Sequence, residues 1–166
     1  MKIRKGFVSN SSSSSFVVAF PKNPTSAQDV QKILFGDRQE YPDPYNSSYY
    51  PTSRVAETVW DDIKRKGRPA TKKDIVKAID GGYFDGMAEY KDFPKPGSDG
   101  PLDYDWEACS KENERRAIKM AEEFMAKNPK AVIYTLSYAD EDGSYGSALE
   151  HGILFDEVPH LRISCH

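Results

Sequence analysis

The sequence has little cysteine and no long hydrophobic run. Its two cysteines, Cys109 and Cys165, are far apart and form no Cys-x-x-Cys pair, which favours reduced thiols over a disulfide framework. The apolar run at residues 16–20 is shorter than the about 7 to 15 residues of a signal-peptide core, and no stretch reaches the about 20 residues of a membrane-spanning helix. We therefore expect a cytoplasmic protein with no membrane partner.

A strong excess of charge is also missing. The 23 Lys and Arg residues against 26 Asp and Glu give a formal net charge of -3, so the chain as a whole lacks the positive field that supports nonspecific nucleic-acid binding. Apolar residues make up 38% of the 166 residues, which is enough for one packed core but short for two. The sequence therefore predicts a single domain over residues 1–166.

Helix and strand signals come in blocks rather than in strict alternation. Helices are predicted after Ser26 as far as Gly36, over 54–66, after Thr71 as far as Gly81, and from about 106 or 110 to 127. Strands are predicted at 16–20, 131–138, 148–155 and 161–165, with an acidic turn at 140–146 between the second and third. This order favours an α+β fold. We expect an antiparallel sheet made of the N-terminal strand, a C-terminal hairpin and a final strand, with helices on one face.

A serine run interrupts the apolar N-terminal region. The segment KIRKGFVSNSSSSSFVV resembles a sequence that recurs on otherwise dissimilar, mostly uncharacterised small proteins of bacteriophages and bacteria. The resemblance covers about the first tenth of the chain and implies a phage or prophage setting with no established activity. Between two short strands, the serines predict a compact loop that could bind an anion or accept phosphate beside nearby cations. The loop residues are Ser11, Ser12, Ser13, Ser14 and Ser15.

Tyrosines are concentrated in the proline-rich segment 37–52. Tyrosine on a loop supplies a large, rigid contact area at low entropic cost, as in many binding surfaces. The four residues are Tyr41, Tyr45, Tyr49 and Tyr50. Segment 83–105, rich in Gly, Pro and Asp, is predicted to be a second long loop or to hold a short helix, and Trp60 and Trp106 are predicted to be core residues. Our first hypothesis is a non-enzymatic interaction protein, without a cofactor, that binds a host or phage protein through these loops.

The C-terminal third concentrates side chains that could ligate a metal. The alternative hypothesis is a small metal-dependent phosphoester hydrolase, in which a divalent metal activates water. Its ligands would come from Asp140, Asp142, Glu150, His151 and His160. On the predicted return strand Glu150 and His151 are adjacent and would point to opposite faces. A solvated hairpin tip with hydrogen-bonded histidines explains the same residues without a metal.

A basic segment joins the second and third predicted helices. Lys64-Arg-Lys-Gly-Arg-Pro69 resembles the AT-hook, whose extended core enters the DNA minor groove, although Lys66 stands where the first core arginine would be. A nucleic-acid contact would use Arg65, Lys66, Arg68, Lys72 and Lys73. Cations at a helix C-terminus, followed by a terminating glycine, are the simpler interpretation.

Overall fold

The computed structural model describes residues 13–45, 47–95, 97, 103–139 and 145–164. The elements within these ranges are β1 (Ser13–Phe20), α1 (Ala27–Phe35), β2 (Glu40–Pro42), β3 (Tyr49–Pro51), α2 (Thr52–Lys66), α3 (Lys72–Asp80), a 3₁₀ helix (Tyr90–Asp92), α4 (Trp106–Lys127), β4 (Val132–Ala139), α5 (Gly146–His151) and β5 (His160–Ser164). None of the helices in these ranges has both the length and the apolar character needed to cross a membrane.

The first strand, β1, lies in the middle of the main sheet. It pairs antiparallel with β4 on one side and with β5 on the other, so that Val17 lies between Thr135 and Leu161. A second, two-stranded antiparallel sheet is formed by β2 and β3. Every residue from Phe16 to Phe20 is buried, because this stretch of β1 is covered on both faces of the sheet.

Alternating side chains of β1 enter two different cores. Phe16, Val18 and Phe20 pack with residues of α1, α2 and α5. Val17 and Ala19 pack with residues of α3 and α4. The helices therefore cover both faces of the sheet, whereas the sequence analysis placed them on one. Five consecutive apolar residues leave β1 without a polar face, which requires cover on both sides.

The α+β class and the antiparallel sheet are confirmed, but the strands connect differently from the prediction. No C-terminal hairpin forms, because β4 and β5 occupy opposite edges and each pairs with β1. The predicted return strand at 148–155 is replaced by α5 and the turns that follow it. Ala148, Leu149 and Glu150 are all buried, which the helix achieves and a strand with one covered face does not.

The predicted helix ends are found where the sequence carries capping residues. The Ser26 hydroxyl accepts a hydrogen bond from the Asp29 amide at the start of α1, and Thr71 and Asp74 form a reciprocal capping box at the start of α3. Gly67 ends α2 in the left-handed conformation, with a φ of 71°. Only the start of α2 differs: it begins directly after Pro51, without a side-chain cap.

The second half of the serine run is a strand rather than the predicted loop. Ser13, Ser14 and Ser15 belong to β1 and pair with β4, and the side chain of Ser14 is fully buried. Hydrogen bonding to neighbours on both edges extends the strand beyond its apolar core. Ser11, Ser12 and the apolar residues before them lie outside the described residues.

Candidate binding site

A cavity of about 440 Å³ opens between the C-terminal end of α3, segment 83–90 and the first turns of α4. Its lining is mainly apolar, and its volume lies in the range of small-ligand sites, about 300 to 1,000 Å³. Tyr83, Tyr90 and Trp106 stand at the opening with 62%, 50% and 62% of their surfaces exposed. Cys109 and Asn113, which are both buried, lie deeper in the cavity.

A pair of buried hydrogen bonds fixes segment 83–90 onto α4. The Ala88 amide donates to Oδ1 of Asn113 at 2.7 Å, and Nδ2 of Asn113 donates to the Ala88 carbonyl at 3.2 Å. Arg116, one turn further along α4, donates to the Gly86 carbonyl at 2.6 Å. At the other end of the segment, the main chain of Tyr83 pairs with Ser164 of β5. The wall of the cavity is therefore attached to both a helix and the sheet.

Three aromatic rings contact one another beside the cavity. The centroid of the Tyr90 ring lies 5.1 Å from that of Trp106 and 5.0 Å from that of Tyr104. A bridge between Pro94 and Tyr104 folds the intervening chain back on itself, and the Asp105 amide donates to the Phe93 carbonyl. Segment 83–105, predicted to be a long loop or to hold a short helix, contains the 3₁₀ helix and this bridge. The rings therefore reach the same surface from opposite ends of the segment.

Trp106 was predicted to be a core residue and is instead exposed. It shares a face of α4 with Cys109 and Asn113, so the helical spacing places it correctly on the inward stripe. The stripe extends past the core, however, and Trp106 lies at the mouth of the cavity. Among the described residues it contacts the Tyr90 and Tyr104 rings.

The four tyrosines of segment 37–52 do not form one surface. Tyr41 is buried, and its hydroxyl donates to the Ala148 carbonyl at 3.0 Å. Burial accordingly raises the pKa of Tyr41 well above its usual value. The hydroxyl of Tyr50, which is partly buried, donates to Asp43. Tyr45 and Tyr49 are exposed, so only these two offer open ring surface to a partner.

The predicted metal ligands come together only in part. The helical geometry of α5 brings Oε2 of Glu150 to 3.3 Å from Nε2 of His151, rather than directing the two side chains to opposite faces. Nδ1 of His160 lies 3.1 Å from the Val158 carbonyl, and its ring lies beside Phe155. Asp140 and Asp142 lie outside the described residues. Among the residues described, no group of three or more His, Cys, Asp or Glu side chains could hold a metal ion.

Carboxylates neutralise much of the basic segment. Arg65 pairs with Asp62, Lys72 pairs with Glu122, and Arg68 reaches both oxygens of Asp74. The Arg68 guanidinium, with hydrogen bonds from Thr71, holds the pKa of Asp74 well below its usual range. Lys66 and Lys73 are exposed. Arg65 and Lys66 lie in the last turn of α2, so this part of the AT-hook-like sequence is helical rather than extended.

The groups that line the cavity suit binding better than bond chemistry. Rings and a thioether supply contact surface, while the Asn113 amide and the Cys109 thiol are engaged with Ala88. No family model, no curated protein and no solved structure matches this chain.

Proposed function

We propose that this chain is a binding protein without catalytic activity, which holds a partner protein at an aromatic surface. This aromatic surface consists of Tyr83, Tyr90, Tyr104 and Trp106. The observation that carries the proposal is the presence of three half-exposed or more exposed rings around one apolar cavity. Tyr and Trp are enriched at the centres of protein interfaces, where a pocket that receives a side chain of the partner supplies much of the affinity.

The rigidity of the surface supports the proposal. Ring-to-ring contacts and the hydrogen bonds between Asn113 and Ala88 already order the site, so little conformational entropy would be lost on binding. Exposed aromatic surface of this kind on a single domain commonly marks an interaction site. The N-terminal resemblance to phage and bacterial proteins suggests that the partner is a host or phage protein.

The two alternative functions receive less support. Nucleic-acid binding would require several of the paired cations of the basic segment to exchange their carboxylate partners for phosphates. Metal-dependent hydrolysis would need ligands from beyond the described residues, because Glu150, His151 and His160 do not form a three-residue site. Tyr45 and Tyr49 offer a smaller exposed surface, which makes them suitable controls.

Affinity capture with matched variants tests the proposal. The tagged full chain, a Trp106→Ala variant and a Tyr49→Ala variant are incubated with bacterial lysate, and any recovered protein is purified for calorimetric titration. Both substitutions remove an exposed ring of similar accessibility (62% and 61%). We expect Trp106→Ala to weaken binding by about 2 kcal/mol, roughly thirtyfold, as for a central interface residue. Tyr49→Ala should change it by less than about threefold.

Two results would contradict the proposal. One is a purified partner that binds the wild type and Trp106→Ala equally well, since its interface would then lie elsewhere. The other is recovery of no protein by any of the three chains. Circular dichroism of each variant confirms that the substitution leaves the fold intact.

A further inference from the structure

We infer that the cavity receives an organic cation, namely the ammonium or guanidinium group of a Lys or Arg side chain on the partner. The inference rests on the proposed function and specifies which side chain of the partner enters the site. It follows from the combination of aromatic rings with carboxylates in one lining. Either feature alone would be compatible with many ligands.

The rings provide the first part of the recognition. The face of an aromatic ring carries negative electrostatic potential, and Trp attracts a cation most strongly, followed by Tyr and Phe. Tyr83, Tyr90 and Trp106 all line the cavity, and the planes of the last two are inclined by only 34°. Together these two rings form one continuous wall beside the opening.

The charges provide the second part. Asp80 and Glu89 line the same cavity, and the residues that line it within the described ranges include no Lys, Arg or His. Asp80 is the last residue of α3, so the negative end of the helix dipole adds to its charge. Glu89 also pairs with Lys91, which leaves Asp80 as the main counter-charge for a ligand. An anion would be repelled here, and a neutral apolar group would gain nothing from the carboxylate.

The other tryptophan shows the same preference on a smaller scale. The ammonium group of Lys64 lies 5.8 Å from the centroid of the Trp60 ring, so the cation that faces Trp60 comes from the chain itself. The cavity beside Trp106 is open, and a cation for it would have to come from another molecule.

Nuclear magnetic resonance with two isosteric probes tests the inference. The chain contains two tryptophans, so its spectrum has two indole N–H signals, and the Trp60 signal serves as an internal reference. ¹⁵N-labelled full chain is titrated with choline chloride and, separately, with 3,3-dimethylbutan-1-ol, which has the same shape without the charge. Ionic strength is held constant with sodium chloride. We expect a saturable shift of the Trp106 signal with choline and binding of the alcohol that is about tenfold weaker.

Charge-neutralising variants locate the effect. Asp80→Asn keeps the size of the side chain and removes its charge, and we expect it to weaken choline binding about threefold to tenfold. Asp85→Asn makes the same change in segment 83–90 at an exposed residue that does not line the cavity. It should alter choline binding less than about twofold.

Three results would overturn the inference: equal binding of choline and the alcohol, equal effects of the two variants, or no saturable shift of the Trp106 signal. The two proposals fail separately. If capture of the partner depends on Trp106 while choline and the alcohol bind alike, the partner inserts an apolar group, and only the cation inference fails. If choline binds as expected but the partner binds Trp106→Ala normally, the aromatic surface is not the protein interface.

Discussion

Substitution of Asn113 by alanine should release one wall of the cavity. The Asn113 side chain accepts a hydrogen bond from the Ala88 amide and donates one to the Ala88 carbonyl. Asn113 and Ala88 are both about 95% buried, so water cannot readily replace these hydrogen bonds. Asn113→Ala would leave both main-chain groups of Ala88 without the amide as a partner.

The expected cost follows from these two groups. A buried polar group that loses its partner costs about 1 to 3 kcal/mol, so two such groups could cost about 2 to 6 kcal/mol. The Cys109 thiol still lies 3.7 Å from the Ala88 carbonyl and compensates in part. We therefore expect a loss of about 2 to 4 kcal/mol in the free energy of unfolding if the segment unfolds together with the rest of the chain.

Two measurements check this prediction. Urea unfolding followed by circular dichroism gives the global stability, and amide hydrogen exchange reports on the N–H of Ala88 directly. If segment 83–90 opens locally, the Ala88 amide exchanges much faster while the urea midpoint changes little. Glu114→Ala, at an exposed residue next to Asn113 on α4, is the control and should change neither. A protected Ala88 amide together with a stability within about 0.5 kcal/mol of wild type would refute the reasoning.

Two further predictions concern other parts of the fold. Gly152→Ala should lower the free energy of unfolding by about 1 to 3 kcal/mol, because the added methyl group would overlap the Tyr41 hydroxyl; a wild-type urea midpoint would contradict this packing. Hydrogen bonds from Arg115 and then Arg116 lower the pKa of Glu112 from 4.5 to about 2. Ionised Glu112 therefore contributes stability above about pH 4.5, which is lost as the pH falls towards 2. Glu112→Gln should flatten the pH dependence of the urea midpoint in this window, and an unchanged slope would exclude that contribution.

Local signals in the sequence predicted the helix ends well. Ser26 and Thr71 each precede an Asp by three residues, and both cap a helix. Gly67 ends α2 as expected. These features succeed because capping depends on residues within one turn of each other. The strand at 132–139 was also predicted, from its β-branched and aromatic residues.

Features that depend on distant residues were missed. The pairing of both β4 and β5 with β1 cannot be deduced from any of the three segments alone, and the run Ala148 to Leu154 suits a strand or a helix equally well. For the cavity, a signal did exist in the number of aromatic residues between Tyr83 and Trp106. Their convergence depends on the bridge at Pro94 and on the hydrogen bonds of Asn113, which spacing along the chain does not reveal.

The central position of β1 has a consequence for the time course of synthesis. Ser15 contacts Ser137, 122 positions later, and Ser14 contacts Arg162, 148 positions later. At about 5 to 20 residues per second, the ribosome makes β1 roughly 6 to 24 s before β4. Throughout that interval the most apolar strand of the protein has neither of its neighbours, and it is open to chaperones and to other nascent chains. Translation speed should therefore affect how much of the newly made protein reaches the native sheet.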